Sequence, residues 1–193
     1  AVSGLAAGAA VVAALPVAFL AGRHPGPGTT LIERAPYLGF ALPGIVVALA
    51  LVLFAVATPL YQSLAVLLLG YLVLFLAPAV GSLRASLLQV RLSLEEAARS
   101  LGRGPWSVLA TVTVPLVRPG ALAGGALVFL LAMKELPATL ILSPIGFETL
   151  ATSIWSAASE AMFVQAAMPA LLLVVAAGVP MALLTVRGWG ELQ

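Results

Sequence analysis

Few side chains in this sequence are suited to chemistry, and the densest group of them stands in one stretch. Between residues 81 and 119 lie Arg84, Arg91, Glu95, Glu96, Arg99, Arg103 and Arg118. Elsewhere charge is sparse. Lys134 and Glu135 sit side by side inside an apolar run, and Glu148 and Glu160 follow it. No cysteine offers a thiolate, and neither a metal-ligand spacing of His and Glu nor a Ser–His–Asp set can be assembled. The lone lysine follows Met133 instead of a glycine-rich loop, so the sequence has nothing to cradle ATP phosphates. Glu148 and Glu160 alone are a poor ligand set for a metal ion. His24 falls in the turn His24-Pro25-Gly26-Pro27-Gly28 and reads as a loop residue. What remains open to these charges is recognition, anchoring and gating.

The elements that must position them are apolar helices. Hydrophobic residues make up 62% of the chain and charged ones 8%, a balance suited to a bilayer and not to water. Crossing the hydrocarbon takes roughly 20 apolar residues in a helix. Such runs occur at Val2–Leu20 and at about residues 40–57, 61–80, 121–142 and 164–186. They are too long for strands and lack a period of two, which predicts an all-α, polytopic transmembrane bundle with about five spans in one domain. The run at Val2–Leu20 has no basic residue before it, unlike a signal peptide. The first residue is not methionine and already belongs to a span, so a segment upstream is expected. Gly4-x3-Gly8 and Gly120-x3-Gly124 are spaced for close helix contact.

Arginine placement orients the bundle. Arg23 and Arg34 follow the first run, five arginines lie between the third and fourth, and Arg187 ends the fifth. The connections after the second and fourth runs have none. Positive residues stay cytoplasmic, so the chain is expected to start outside, end inside and lie in a bacterial inner membrane. The net charge of +2 is explained by this bias and is no nucleic-acid signal.

The stretch 81–119, the cytoplasmic loop, is itself organised. Ser93 and Glu96 are spaced as a capping box, and Glu95 and Glu96 suit the first turn of a helix over Leu94–Leu101. Gly102 is a stop signal, Gly104-Pro105 restarts a second short helix, and Pro115 and Pro119 are expected to end it. Ala97 and Ala98 give the first helix a smooth face for another protein.

Glu96-Ala97-Ala98, three residues, Gly102, nine residues and Val112-Thr113-Val114-Pro115 together resemble the signature loop of ABC-importer permeases. Val112 and Val114 replace the family's isoleucine and leucine, a change of bulk only. The resemblance implies that residues 94–115, with Glu95, Glu96, Ala97, Ala98, Gly102, Val112, Val114 and Pro115, couple to a cytoplasmic ATPase subunit. ATP then belongs to that partner, this chain is no enzyme and it carries no cofactor. A periplasmic or extracellular substrate-binding protein and a second permease half or copy are the other implied partners.

Residues 37–44, 83–87, 133–140 and 146–152 are similar to the C-terminal half of ferric-iron permeases, which implies ferric iron as the cargo. Permeases for thiamine, sulfate, molybdate and polyamines share the signature loop and stay open as alternatives. Lys134, Glu135 and the helix-bending Pro137 read either as part of a translocation path or as headgroup anchors at a helix end. Glu148 and Glu160 read either as docking points for the binding protein or as solvated carboxylates. A secondary transporter would call for paired ionisable residues within spans, and an intramembrane enzyme for a nucleophile or metal set. The sequence offers little of the first and none of the second.

Overall fold

A computed structural model describes the backbone of residues 1–190 and the side chains of residues 1–182. Among the described residues the fold is entirely helical: α1 (Val2–Arg23), α2 (Pro27–Ala41), α3 (Gly44–Val56), α4 (Leu64–Gln89), α5 (Leu92–Ser100), α6 (Pro105–Val108), a π-helical segment (Leu109–Thr113), α7 (Val114–Met133), α8 (Pro137–Leu142), α9 (Leu150–Ser159) and α10 (Phe163–Gly190). Four helical stretches are long and apolar enough to cross a membrane, namely Val2–Arg23, Leu64–Gln89, Pro105–Met133 and Phe163–Ala182. The pair α2 and α3 adds a fifth if it counts as one span bent by 106°.

Helices α1, α2, α3, α7 and α8 pack against α4, whereas α10 lies against α9 and α7. The buried face of α4, including Leu67, Tyr71, Val80 and Leu83, forms the centre of the core. Helix α1 approaches through a ladder of buried alanines, Ala6, Ala10, Ala14 and Ala18, spaced one turn apart so that a single smooth stripe meets the bundle. Gly4 and Gly8 are off that stripe: both are exposed, and a Cβ at either would touch nothing within 4 Å. Gly120 and Gly124 do make the close contact expected of them. A Cβ on Gly120 would lie 2.7 Å from the Ser82 carbonyl oxygen, and one on Gly124 would lie 3.0 Å from Ala79 Cα.

Several expected boundaries move. The third run extends as helix to Gln89, so Arg84 stands on α4 and not in a loop. The segment after the first run is also helical: α2 carries Glu33 and Arg34, and Glu33 Oε1 lies 2.8 Å from Arg84 Nε. That N–H is not aimed at the oxygen, so the contact is an ion pair without a hydrogen bond, half exposed and of small energy. The second expected run, about 40–57, is interrupted at Leu42–Pro43, where the chain turns sharply. Pro43 fixes an extended residue ahead of it and cannot extend α2 as a hydrogen-bond donor.

The two prolines expected to end the second short helix do not end it. Helix runs from Pro105 to Met133 with a π segment inside, in which the Val114 N–H donates to the Leu109 carbonyl. Pro115 follows this change of register, where its missing N–H falls at a junction already rearranged. The run expected over 121–142 ends instead at Met133, and Pro137 opens the separate helix α8.

Every arginine with a described side chain lies toward one end of the bundle, called here the basic end. Arg23 there reaches both Val90 and Glu95, and the Glu33–Arg84 pair lies beside it.

The two glycine pairs differ enough to test. Gly120→Ala drives a methyl into the α4 backbone and is expected to destabilise by about 1–3 kcal/mol. Gly8→Ala meets open space and gains up to about 1 kcal/mol of helix propensity. Thermal unfolding of the purified protein in detergent checks both, and equal melting temperatures for the two variants would contradict the packing.

Candidate functional site

Two polar clusters stand out against the apolar background, one at each end of the bundle. At the basic end the chain leaves α4 at Val90 and starts α5 with Arg91 as N-cap, whose side chain makes no capping bond. The expected capping box is absent: Ser93 lies inside the helix, which spans Leu92–Ser100 and not Leu94–Leu101. The reason is Glu95. Its carboxylate, one of those the resemblance implied for ATPase coupling, is buried and held by Arg23 from the last turn of α1. Arg23 Nη2 donates to Glu95 Oε1 at 2.7 Å and Nε donates to the same oxygen at 3.2 Å. Thr113 Oγ1 donates to it at 3.0 Å, and Arg23 Nη2 also donates to the Val90 carbonyl at 3.2 Å. Charge-assisted bonds of this kind are about twice as strong as neutral ones.

With Glu95 turned inward, the residues on the other side of α5 face out. Glu96 and Ala97 are exposed while Ala98 is buried, so the smooth face expected of the alanine pair is only half present. Leu101 and Trp106 project freely, at 83% and 81% exposure. Gly102 ends α5 with φ of +81°. Its N–H donates to the Arg99 carbonyl and the Arg103 N–H to the Ala98 carbonyl, the paired bonds of a Schellman turn. A left-handed residue is required there, and glycine alone takes it without strain. Helix α9 ends in the same paired bonds, with Ala161 at φ of +58° in the equivalent place. Val112 lies in the π segment, and Val114 and Pro115 begin α7, all three half-buried.

Toward the opposite end, α7 stops at Met133 and the adjacent charges part company. Lys134 is exposed, with no ion-pair partner among the described side chains. Glu135 is half-buried and folds back: its Oε1 accepts the Ala138 N–H at 3.1 Å, closing the first turn of α8. Thr139 Oγ1 donates to the Glu135 carbonyl at 2.6 Å and lies 2.6 Å from the Tyr71 hydroxyl on α4. The same carboxylate rests against Gly44, where a Cβ would come within 2.6 Å of Oε1. Two helix breaks, at Pro43 and at Lys134–Leu136, therefore meet at one carboxylate. Tyr71 lies seven residues into α4, roughly 10 Å from its start, so the cluster is inside the apolar zone. Gly44, Tyr71 and Thr139 escaped the sequence reading, since nothing local marks a hydroxyl or a glycine as the partner of a distant carboxylate. Pro137, expected as a bend within one span, is instead the first residue of a new helix.

Glu148 and Glu160 are not brought together. Glu148 is exposed before α9, accepts a bond from Ser153 Oγ at 3.2 Å and lines a cavity of about 440 Å³ with Ser3, Phe129 and Met133. Glu160 caps the far end of α9, one ten-residue helix away, or about 15 Å. Helix α9 starts at a capping box that the sequence reading did not find: Thr149 and Thr152 bond each other's backbone N–H. Among the described residues no group of three His, Cys, Asp or Glu side chains converges on a point where a metal ion would sit.

Residues 14–187 match the family described as binding-protein-dependent transport system inner membrane component. The chain is 43% identical over 185 residues to the Fe(3+)-transport system permease protein FbpB 2 of Haemophilus influenzae, covering 95% of this chain and 37% of that protein. It is 34% identical over 122 residues to the putative 2-aminoethylphosphonate transport system permease protein PhnV of Salmonella typhimurium, covering 62% of this chain and 46% of the relative. To the molybdenum transport system permease protein ModB of Escherichia coli it is 31% identical over 127 residues, 59% of this chain and 56% of the relative. The chain thus spans less than two thirds of the length of these curated relatives.

The contact between Gly44 and Glu135 predicts non-additive substitutions. Glu135→Ala removes the cap on Ala138 and is expected to cost about 1 kcal/mol. Gly44→Ala displaces the same carboxylate and should cost a similar amount alone, yet little in the Glu135→Ala background. A thermal double-mutant cycle reads this directly, and simple additivity would separate the two sites.

Proposed function

The chain belongs to the family of binding-protein-dependent transport system inner membrane components, and on that premise we propose that it forms the membrane-spanning part of an ATP-driven importer. A cytoplasmic ATPase subunit docks on the exposed side chains of residues 94–115, from which the buried Glu95 is withdrawn, and ATP is bound and hydrolysed on that subunit and not on this chain. The observation that carries this reading is the outer side of α5 and the turn after it. Glu96 and Ala97 on α5, Leu101 at its C-cap and Trp106 on α6 are all exposed at the basic end, and the inner side of α5 is fixed by a buried ion pair. Fixed apolar side chains without a partner in their own chain suit a protein interface, and the positive-inside bias puts that end in the cytoplasm.

The chain then starts outside and ends inside. A second permease half or copy completes the pore, and an external binding protein delivers the cargo near Glu148 and Glu160. Lys134, Glu135 and Pro137 lie on the translocation path, where the two helix breaks form a hinge that substrate passage requires. Broken helices meeting inside the membrane are where transporters place such sites. Ferric iron is the cargo we favour, because the likeness to the Fe(3+)-transport permease extends over 95% of the chain at the higher identity. The aminoethylphosphonate and molybdenum relatives keep an oxyanion as the second reading. Uptake of labelled ferric iron, molybdate and aminoethylphosphonate by membrane vesicles carrying the full-length permease and its ATPase separates these cargoes.

Two outcomes follow for the loop. Single cysteines at Gly104 and at the exposed Ile145 are expected to label from opposite sides, Gly104→Cys from the cytoplasm and Ile145→Cys from outside, against a cysteine-free background. Outside labelling of position 104 reverses the topology and removes the coupling assignment. At Gly102 no neighbour in this chain blocks a side chain, so the local penalty is the left-handed backbone alone, about 1–2 kcal/mol. Gly102→Asp should therefore leave the spans inserted while ATPase co-purification and uptake fall. Wild-type uptake in that variant would make the loop a passive linker.

A further inference from the structure

Glu95 and Glu96 are neighbours with opposite surroundings, and the buried one is not needed to meet a partner. Helix α5 buries only Glu95 and Ala98. Its hold on the bundle therefore rests on one carboxylate and one methyl group. That carboxylate joins four elements: Arg23 at the end of α1, Val90 at the end of α4 through the same guanidinium, α5 itself, and Thr113 at the end of the π segment that leads into α7. Side-chain exposures of 8% for Arg23 and 3% for Glu95 leave the pair almost dry.

We propose that the Arg23–Glu95 pair, with Thr113, is a strut that carries displacement of α5 to α1 and α7, Arg23 and Glu95 being positioning residues for transport. The proposal rests on the reading of α5 as the ATPase-docking helix. Three observations support a mechanical role. First, buried ion pairs add little net stability over apolar packing of equal volume, so stability alone does not account for this one. Second, the bonds are directional: two donors of one guanidinium and one hydroxyl converge on the same Oε1, which fixes the orientation of α5 as apolar contact would not. Third, Thr113 closes the π segment, a stretch with an extra residue per turn and hence an alternative register. A pull on Thr113 acts where α7 yields most easily. Without the strut, α5 still offers Glu96, Leu101 and Trp106 to a partner, but its movement reaches the bundle only through the short turn to α6 and the π segment.

The test uses the full-length permease with its ATPase and binding protein in liposomes. This chain has no cysteine of its own, so Arg23→Cys/Glu95→Cys can be bridged with a bis-methanethiosulfonate reagent, with the permease lacking the two substitutions treated in parallel as the control. Unbridged, this variant leaves no unpaired buried charge, so it is expected to keep ATPase co-purification and ATP hydrolysis, while uptake per ATP falls about tenfold because the direct bonds from α5 to α1 and to Thr113 are gone. Bridging should restore uptake and reduction should abolish it again. Glu95→Gln, which keeps a carbonyl acceptor for Arg23 and Thr113, is expected to transport better than Glu95→Ala. Wild-type uptake in the unbridged variant overturns the strut while leaving the docking reading intact. Loss of ATPase binding in that variant also overturns it, because the pair then only shapes the docking surface. Failure of both the bridge and the glutamine to rescue uptake reduces the pair to packing. If the wild-type permease itself fails to bind the ATPase, the docking reading falls and the strut falls with it.

Discussion

Inside a bilayer no water completes a broken helix, and this constraint governs the whole molecule. Each interruption of an apolar helix releases backbone groups that only the protein can satisfy. At the end of α7 the Glu135 carboxylate bends back to the Ala138 N–H, and Thr139 returns a hydroxyl to the Glu135 carbonyl. At the end of α4 the Val90 carbonyl is met by Arg23. Ahead of Pro115 the π segment redistributes the backbone bonds over a longer turn. Glu135, Thr139 and Arg23 each serve one of these breaks. Their placement follows from where the helices break.

The same economy explains why adjacent charges do different work. Consecutive residues on a helix point about 100° apart, so Glu95 and Glu96 cannot share an environment. One is drawn into the bundle by Arg23 and the other is left facing outward. Lys134 and Glu135 divide in the same way at a helix end, one exposed and one turned onto Gly44. In each pair the inward member fixes geometry and the outward member stays free to meet something else.

Small residues set how closely the helices approach, and position decides which of them matter. The alanine ladder of α1 and the glycines of α7 both lie against their neighbours, whereas Gly4 and Gly8 do not. A small-x3-small pattern records the capacity for contact. The angle at which a helix faces the bundle selects the pattern that is used. At the helix ends the distinction is one of backbone and not of packing: Gly102 and Ala161 close equivalent turns, and only the first is free of β-carbon strain.

The sequence by itself determined the solvent, the helical class, the one-sided arginines and the signature loop with its glycine stop. Each of these rests on composition or on local periodicity, which need no knowledge of distant neighbours. The breaks in the second and fourth runs were only half legible. Prolines at positions 43 and 137 mark a discontinuity, but hydropathy averages across it and reports one long run. The helical persistence through Pro115 and Pro119, the inward turn of Glu95 and the meeting of Glu135 with Gly44 were decided by the tertiary structure alone. The inward turn of Glu95 and the contact of Glu135 with Gly44 depend on partners 18 to 91 residues away along the chain, while the helix passes Pro115 by the change of register in the π segment. A local pattern states which face of a helix is apolar. Only the packed bundle determines which of two neighbouring carboxylates finds a guanidinium within reach, because that is set by the end of a different helix.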